Sequence, residues 1–269
     1  MSPRWYAFCC VAAFAVSSLD CPLTGPLIWG HRGASALEPE NSLAAFSRAA
    51  RDGADGVELD VLCCATGDVV VFHDDDLSRL AGRPERIADL SLADLRAVTL
   101  SSGARIPTLE EALETCGPSL KVNVELKTTG YGGGRLGPLV DGVAAILRRT
   151  ASEARVLVSS FHPRAVWMWM RRAPQVPAAL LFEARAARPL REAWAHHWLR
   201  PHALHPEWSL CTPARVRGWH DLGYVINTWT VDEPHALHAL AAMGVDGIIT
   251  NDPGRARRIV EGGPGDAGG

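Results

Sequence analysis

The chain has 269 residues, 47% of them apolar and 21% charged, which suits one large domain and excludes disordered and collagen-like classes. A formal charge of −3 with no block of basic residues argues against nucleic acid as the partner, because phosphate-backbone binding needs a clustered positive face. The seven cysteines, at 9, 10, 21, 63, 64, 116 and 211, show no C-x-x-C spacing and read as small buried apolar residues more than as a disulfide framework or zinc site.

In chain order, residues 1–24 form an N-terminal extension. One Arg precedes an apolar run from Trp5 to Val16, and Ala15-Val16-Ser17 offers small residues for cleavage. This is a passable signal peptide, too short to span a membrane. The expectation is a cytoplasmic protein with no stable membrane insertion. Export is the alternative if residues 1–18 act as a leader.

From 25 to 261 the chain alternates short apolar runs with amphipathic stretches. The runs are "LIWGH" (27–31), "GVELDVL" (56–62), "KVNVELK" (121–127), "RVLVSSF" (155–161), "PAALLF" (177–182), "ALHP" (203–206), "YVINTWTV" (224–231) and "DGIIT" (246–250). Helical patterns such as "NSLAAFSRAARDG", "TLEEALETCG", "LVDGVAAILRRT", "PRAVWMWMRRAP" and "EPHALHALAAMG" lie between them. Eight candidate strands separated by helices read as an α/β fold, a TIM (β/α)8 barrel. An open doubly wound sheet is the alternative, but "GHRGAS" after the first strand is not the G-x-G-x-x-G loop such sheets show. Residues 66–107 break the rhythm with a mostly polar stretch and read as a small insertion after the second strand. Residues 262–269 read as a flexible tail.

In such a barrel the carboxyl ends of the strands carry the active site. Those ends present His31 and Arg32, Glu58 and Asp60, Glu125 and Lys127, and the Thr228-Trp229-Thr230 run. Glu58 and Asp60 are two apart on a strand, so they share a face while Val57, Leu59 and Val61 take the other. Three convergent carboxylates with no soft ligand suit a hard divalent cation, Mg²⁺ or Ca²⁺, better than zinc. The competing reading is a buried ion network in which Arg32 and Lys127 neutralise the acids. His73, in "VVVFHDDDL", follows a second strand-like run. Two imidazoles near a metal and two cations describe phosphoryl-ester cleavage well. The remaining histidines read as surface or packing residues, and the Trp167 and Trp169 pair with Met168 and Met170, in a helix, reads as barrel packing.

The ordered set "HRGASALEPENSLAAFSRAARDGADGVELDV", "VVVFHDDDLSRL", "IPTLEEAL", "NVELK", "NTWTVD" and "GVDGIITNDP" resembles the glycerophosphodiester phosphodiesterases over about residues 27–260. The resemblance implies a TIM barrel with a lobe inserted after the second strand. It implies that His31 and His73 are the catalytic histidines, that Glu58, Asp60 and Glu125 hold the metal, and that Arg32 and Lys127 contact the phosphate. Glu40 in the P-E-N turn looks like a family site residue, as metal neighbour or as brace, and Trp229 resembles the family's pocket-wall tryptophan. "LCCATGDVV" and "SRLAGRP" depart from the usual pattern near the insertion and bear on substrate preference more than on catalysis.

The expected activity is metal-dependent hydrolysis of a small-molecule glycerophosphodiester to sn-glycerol 3-phosphate and an alcohol, the attacking group being water or the glycerol 2-hydroxyl. A lysophospholipase D-like or phosphatidylinositol-cleaving barrel is the near alternative. A non-catalytic phosphate-binding barrel is the distant one.

Overall fold

The computed structural model describes residues 25–128 and 135–262. The expected leader, Cys9, Cys10, Cys21 and tail residues 263–269 lie outside the described residues. Gly262 ends the last helix, so the helix reaches one residue into the stretch read as tail.

The eight expected runs form eight parallel strands: β1 (Leu27–Gly30), β2 (Gly56–Cys63), β4 (Lys121–Leu126), β5 (Val156–Ser160), β6 (Ala178–Phe182), β7 (Ala203–Pro206), β8 (Val225–Thr228) and β9 (Gly247–Thr250). Each pairs with the next, and β1 pairs with both β2 and β9, which closes the sheet into a barrel. A ninth strand, β3 (Val69–Val71), turns back antiparallel on β2. It carries the chain from the end of β2 into the inserted segment.

Period-2 alternation explains the layering. Val57, Leu59 and Val61 face outward into a core shared with the helices, where Phe46, Leu109 and Leu113 meet them. Each fully buried side chain of this size contributes about 1.5–3 kcal/mol. The first covering helix, α1 (Leu43–Arg51), starts where the Ser42 side chain accepts from the Ala45 amide, so the polar PENS turn is a cap as well as a loop. The insertion contains α2 (Ser78–Ala81) and α3 (Leu92–Ala97), and α4 (Leu109–Cys116) then resumes the barrel pattern. Leu62, Phe72, Leu77, Ile87, Leu95 and Ile106 form a separate buried cluster under the insertion, so this polar-looking stretch has a small core of its own.

Helices α5 (Leu136–Arg149) and α6 (Pro163–Arg172) cover the next strands. Two short turns follow, α7 (Arg188–Arg191) and α8 (His196–Leu199), then α9 (Pro213–Asp221), α10 (Pro234–Met243) and α11 (Pro253–Gly262). Within α6, Trp169 is fully buried as expected. Trp167 departs from the barrel-packing expectation: it is 46% exposed, with the Arg171 guanidinium 5.2 Å from its ring, because the two tryptophans fall on different sides of one helical turn. Cys63, Cys64, Cys116 and Cys211 are buried free thiols, and Cys63 and Cys64 pack into different clusters. Among the described residues no helix is long and apolar enough to cross a membrane.

Candidate active site

The site lies at the carboxyl ends of the strands, where the turn after β1 is built in an unusual backbone conformation. Arg32 and Asn41 have φ of +54° and +56°, and Gly33 has φ of +84°. A Cβ on Gly33 would lie 2.6 Å from Ala45, so only glycine lets the turn press against α1. Left-handed non-glycine residues are uncommon and are held by their surroundings. Here the Arg32 amide donates to Glu58 Oε2 at 2.9 Å, and the Asn41 amide donates to the Arg32 carbonyl at 3.0 Å. Asn41 in turn grips Asp60: its Nδ2 donates to Oδ2 at 2.8 Å and its Oδ1 accepts from the Asp60 amide at 3.2 Å.

Parallel register sets Asp60 beside Glu125, and Glu58 beside Asn123. The carboxylate oxygens of Glu58, Asp60 and Glu125 lie within 4.8 Å of one another, all buried. Lys127 Nζ is 2.9 Å from Glu125 and 3.3 Å from Asp60, and Arg32 Nε is 3.3 Å from Asp60. Both halves of the ion-network reading are therefore present, but two cations face three carboxylates. Glu58 Oε1 is buried with no hydrogen-bond partner among the described residues.

The charge states follow. Burial, reinforced by Asp60 and Glu125, pushes the Glu58 carboxyl well above the usual carboxylate range. Burial would also raise Asp60, yet Lys127, Arg32, His73 and the Asn41 bond hold it down to about 2. Glu125 is raised by burial against the opposing pull of Lys127. A cluster with an orphaned, hard-to-ionise oxygen fits a hard divalent cation, which would supply the missing positive charge. Once Glu40 is set aside as paired with Arg79, a divalent cation and a singly charged phosphodiester together would bring the cluster to neutrality.

The two histidines come from different elements, His31 just after β1 and His73 just after β3. His31 Nδ1 is 2.7 Å from Asn251 Oδ1, and burial and Arg32 lower its pKa against that bond. His73 Nδ1 is 2.6 Å from Asp74 Oδ1. Its pKa is also lowered by burial, with Asp60 and Asp74 opposing and Lys127 and Arg32 assisting. Asp74 is held by Arg79 Nε at 2.6 Å, and Arg79 reaches Glu40 at 2.7 Å. Glu40 closes the chain on Arg32 at 2.8 Å. Glu40 thus braces the two arginines and stands apart from the carboxylate cluster.

The pocket, of about 300 Å³, is lined by both histidines, Arg32, Lys127, Glu58 and Glu125, and by Phe161, Leu181, Trp229 and Ile249. Trp229 donates from Nε1 to the His205 carbonyl at 2.8 Å and meets Phe161 edge to face, centroids 5.3 Å apart. Every residue expected at the site is in this pocket or bonded to one that is. Sequence reasoning missed Asn41, Phe161, Arg79 and the pair Asp232 and Asn251. Asn41 and Asn251 sit in the quoted "PENS" and "ITNDP" stretches, where a polar residue one or two positions past a strand or turn was the available signal. Phe161 carried none, since a phenylalanine ending a strand looks like core.

Residues 31–255 match the sequence profile of the Glycerophosphoryl diester phosphodiesterase family. The chain is 33% identical over 236 residues to a glycerophosphodiester phosphodiesterase of Caldanaerobacter subterraneus subsp. tengcongensis, covering 84% of this chain and 94% of that one. It is 32% identical over 248 residues to a glycerophosphodiester phosphodiesterase of Bacillus altitudinis, covering 87% and 98%. A solved Oleispira antarctica phosphodiesterase, in complex with the product sn-glycerol-3-phosphate, superposes with a TM-score of 0.78 at 25% identity, covering 88% of this chain and 97% of that one.

Proposed function

The chain belongs to the glycerophosphoryl diester phosphodiesterase family and is a phosphoric diester hydrolase, and from that premise we propose how its own residues divide the work. Glycerophosphodiesters are cleaved to sn-glycerol 3-phosphate and an alcohol, with Glu58, Asp60 and Glu125 holding a divalent cation, Mg²⁺ or Ca²⁺. When bound, that cation supplies Lewis-acid polarisation of the phosphoryl oxygen and favours ionisation of the attacking hydroxyl. The observation that carries this reading is the buried Glu58 oxygen, without a partner among the described residues, in a cluster of three carboxylates that shares its pocket with two cations and two imidazoles.

Arg32 and Lys127 bind the phosphate, Arg32 through a guanidinium already oriented by Glu40 and Lys127 as a point charge. One histidine takes the proton of the attacking hydroxyl and the other gives one to the leaving alkoxide. Trp229 and Phe161 form the wall against which the glycerol carbons lie. The segment 66–107 acts as a lobe on the β2 side, through which Arg79 and Asp74 steady His73.

A second reading of the substrate has its own observation. An apolar recess of about 200 Å³ adjoins the pocket through Phe161, Leu181 and Glu183 and runs on to Pro189 and Leu190. It lies on the β5–β6 side, away from the inserted lobe, and favours a glycerol that keeps one acyl chain. One assay separates the two readings: kcat/KM for glycerophosphocholine, glycerophosphoethanolamine, glycerophosphoglycerol and lysophosphatidylcholine, with and without EDTA. The three deacylated diesters are expected within about tenfold of one another and well above the lysolipid. A lysolipid preference would install the second reading. Full activity in EDTA, with no metal by elemental analysis, would overturn the metal assignment.

A further inference from the structure

His31 is held by a two-residue relay that the phosphodiesterase reading does not use. Asn251 Oδ1 faces His31 Nδ1 at 2.7 Å and also accepts from the Ser35 hydroxyl at 2.8 Å. Asn251 Nδ2 donates to Asp232 Oδ2 at 2.5 Å. The other carboxylate oxygen, Oδ1, accepts from the Asn251 amide and from the Thr250 hydroxyl, each at 2.8 Å.

The direction of every bond follows from what each group can do. A carboxylate only accepts, so the Asn251 NH₂ must face Asp232 and the Asn251 oxygen must face His31. That oxygen cannot donate, so Nδ1 must carry the imidazole proton. The lone pair of the neutral ring is then on Nε2. The other histidine differs, because its Nδ1 rests on the Asp74 carboxylate, a partner that favours the charged ring.

We propose that Asn251 and Asp232 are positioning residues that lock His31 as its Nδ1–H tautomer and so make His31 Nε2 the acceptor of the nucleophile's proton. The assignment of that proton rests on the phosphodiesterase reading; the tautomer does not. In the step, the hydroxyl proton passes to His31 Nε2 and the hydroxyl oxygen's electron pair forms the new bond to phosphorus. The bond to the leaving oxygen breaks with its pair, and that oxygen takes a proton from His73. Nothing moves along the relay: Nδ1–H stays on Asn251, and Asp232 stays ionised. The lowered pKa of His31, from burial and Arg32, agrees with a ring that rests neutral and ready to accept.

Asp232→Asn tests this because the fold dictates its effect. The Asn251 backbone N–H still needs an acceptor, so the new amide must present its oxygen there and its NH₂ to the Asn251 side chain. Asn251 then turns over, offers NH₂ to His31, and drives the ring to the Nε2–H tautomer. Asp232→Ala leaves Asn251 free to keep its orientation with solvent. The near-isosteric Asn variant is therefore expected to be worse than Ala, the reverse of what a merely structural role gives. The expected loss in kcat for Asp232→Asn is about 10²–10⁴-fold, with KM within a few-fold and Asp232→Ala between it and wild type.

The direct readout is the ¹⁵N spectrum of His31 in the substrate-free full chain: Nδ1–H in wild type, Nε2–H in Asp232→Asn. Wild-type His31 found as Nε2–H overturns the proposal even if the variant does not fold, and so does an Asp232→Asn protein that keeps both the tautomer and kcat. The spectrum needs no substrate. A correct tautomer in a protein inactive on every glycerophosphodiester would reject only the functional reading.

Discussion

The two sides of the pocket are built on opposite principles. On the β1–β2–β4 side, His31, Arg32, Glu58, Asp60, Glu125 and Lys127 crowd charged groups into a buried space. On the β5–β6–β8 side, Phe161, Leu181 and Trp229 offer rings and methyls beside Glu183 and Thr230, with the Trp229 N–H already satisfied by His205. The charged side is unfavourable to stability by itself, since buried charges that are not fully paired cost free energy. It persists because Asn41, Glu40 and the Arg32 amide tie it down. The apolar side stabilises the barrel mouth and needs no such ties. The contrast teaches that chemistry is concentrated on three of the barrel's eight parallel strands, and the remainder shapes what those three can reach.

The largest expected effect tests whether the charged side is a metal site. Glu58→Gln, Asp60→Asn and Glu125→Gln should each weaken Mg²⁺ or Ca²⁺ binding by titration calorimetry. A Lewis acid is worth several kcal/mol in the transition state, so kcat should fall by about 10³-fold or more. Glu58→Gln should also stabilise the metal-free protein, because the carboxyl it replaces is the one most strained by burial. Unchanged metal affinity in all three variants would return the cluster to a structural ion network.

Next come the histidines. His31→Ala and His73→Ala should each lose about 10²–10⁴-fold in kcat while staying folded by circular dichroism. His205 is wholly buried inside the barrel, bonded to Asn227 at 3.0 Å, and His205→Ala should reduce stability more than turnover. Similar losses in kcat at all three positions would mean that the catalytic pair is misplaced.

The same contrast explains what could be read before the structure. Strand ends carrying Glu58–Asp60 and Glu125–Lys127 declare themselves, because charged residues two apart in an apolar run share a face and have no bland reason to be there. The barrel was legible for a similar reason: each strand is a short apolar run, and helix-period stretches lie between most of them. The neutral partners were not. Asn41 and Asn251 act through hydrogen bonds to Asp60 and His31, at contacts 19 and 220 residues apart in sequence, and no local pattern encodes such a distance. Phe161 was hidden because whether a ring just past a strand end faces the core or a pocket is set by distant residues such as Trp229, which its ring meets edge to face. The buried cluster under residues 66–107 was missed because its apolar residues are scattered among turns and follow no single period.

The apolar side makes its own prediction, smaller than the first two. Trp229→Ala and Phe161→Ala remove a ring that full burial would make worth about 1.5–3 kcal/mol. KM for glycerophosphocholine should rise about 10–100-fold, with metal affinity unchanged. Bis(p-nitrophenyl) phosphate lacks the glycerol, so wild type should cleave it far more poorly and the two variants should change that rate little. Equal losses on both substrates would show that the rings support the fold of the charged side and not the glycerol.

The smallest effect comes from beneath that apolar side and reads out in stability. Burial alone lowers the His205 pKa from 6.5 to about 3. The folded state therefore refuses a proton that the unfolded chain accepts. Stability from this group is full above pH 6.5 and is lost progressively as the pH falls from there toward 3. Between pH 7.5 and 5.5 the loss is about 1.4 kcal/mol, or roughly 3–6 °C in Tm for a domain of this size. His31, His73, His196 and His202 are also lowered and add to the wild-type slope, so the informative quantity is a difference. His205→Gln keeps an oxygen that can accept from Asn227 and removes the titration. Its Tm should fall less than wild type over that interval, by about the amount assigned to this one imidazole, and parallel curves would mean that water already reaches the barrel interior and relieves the ring.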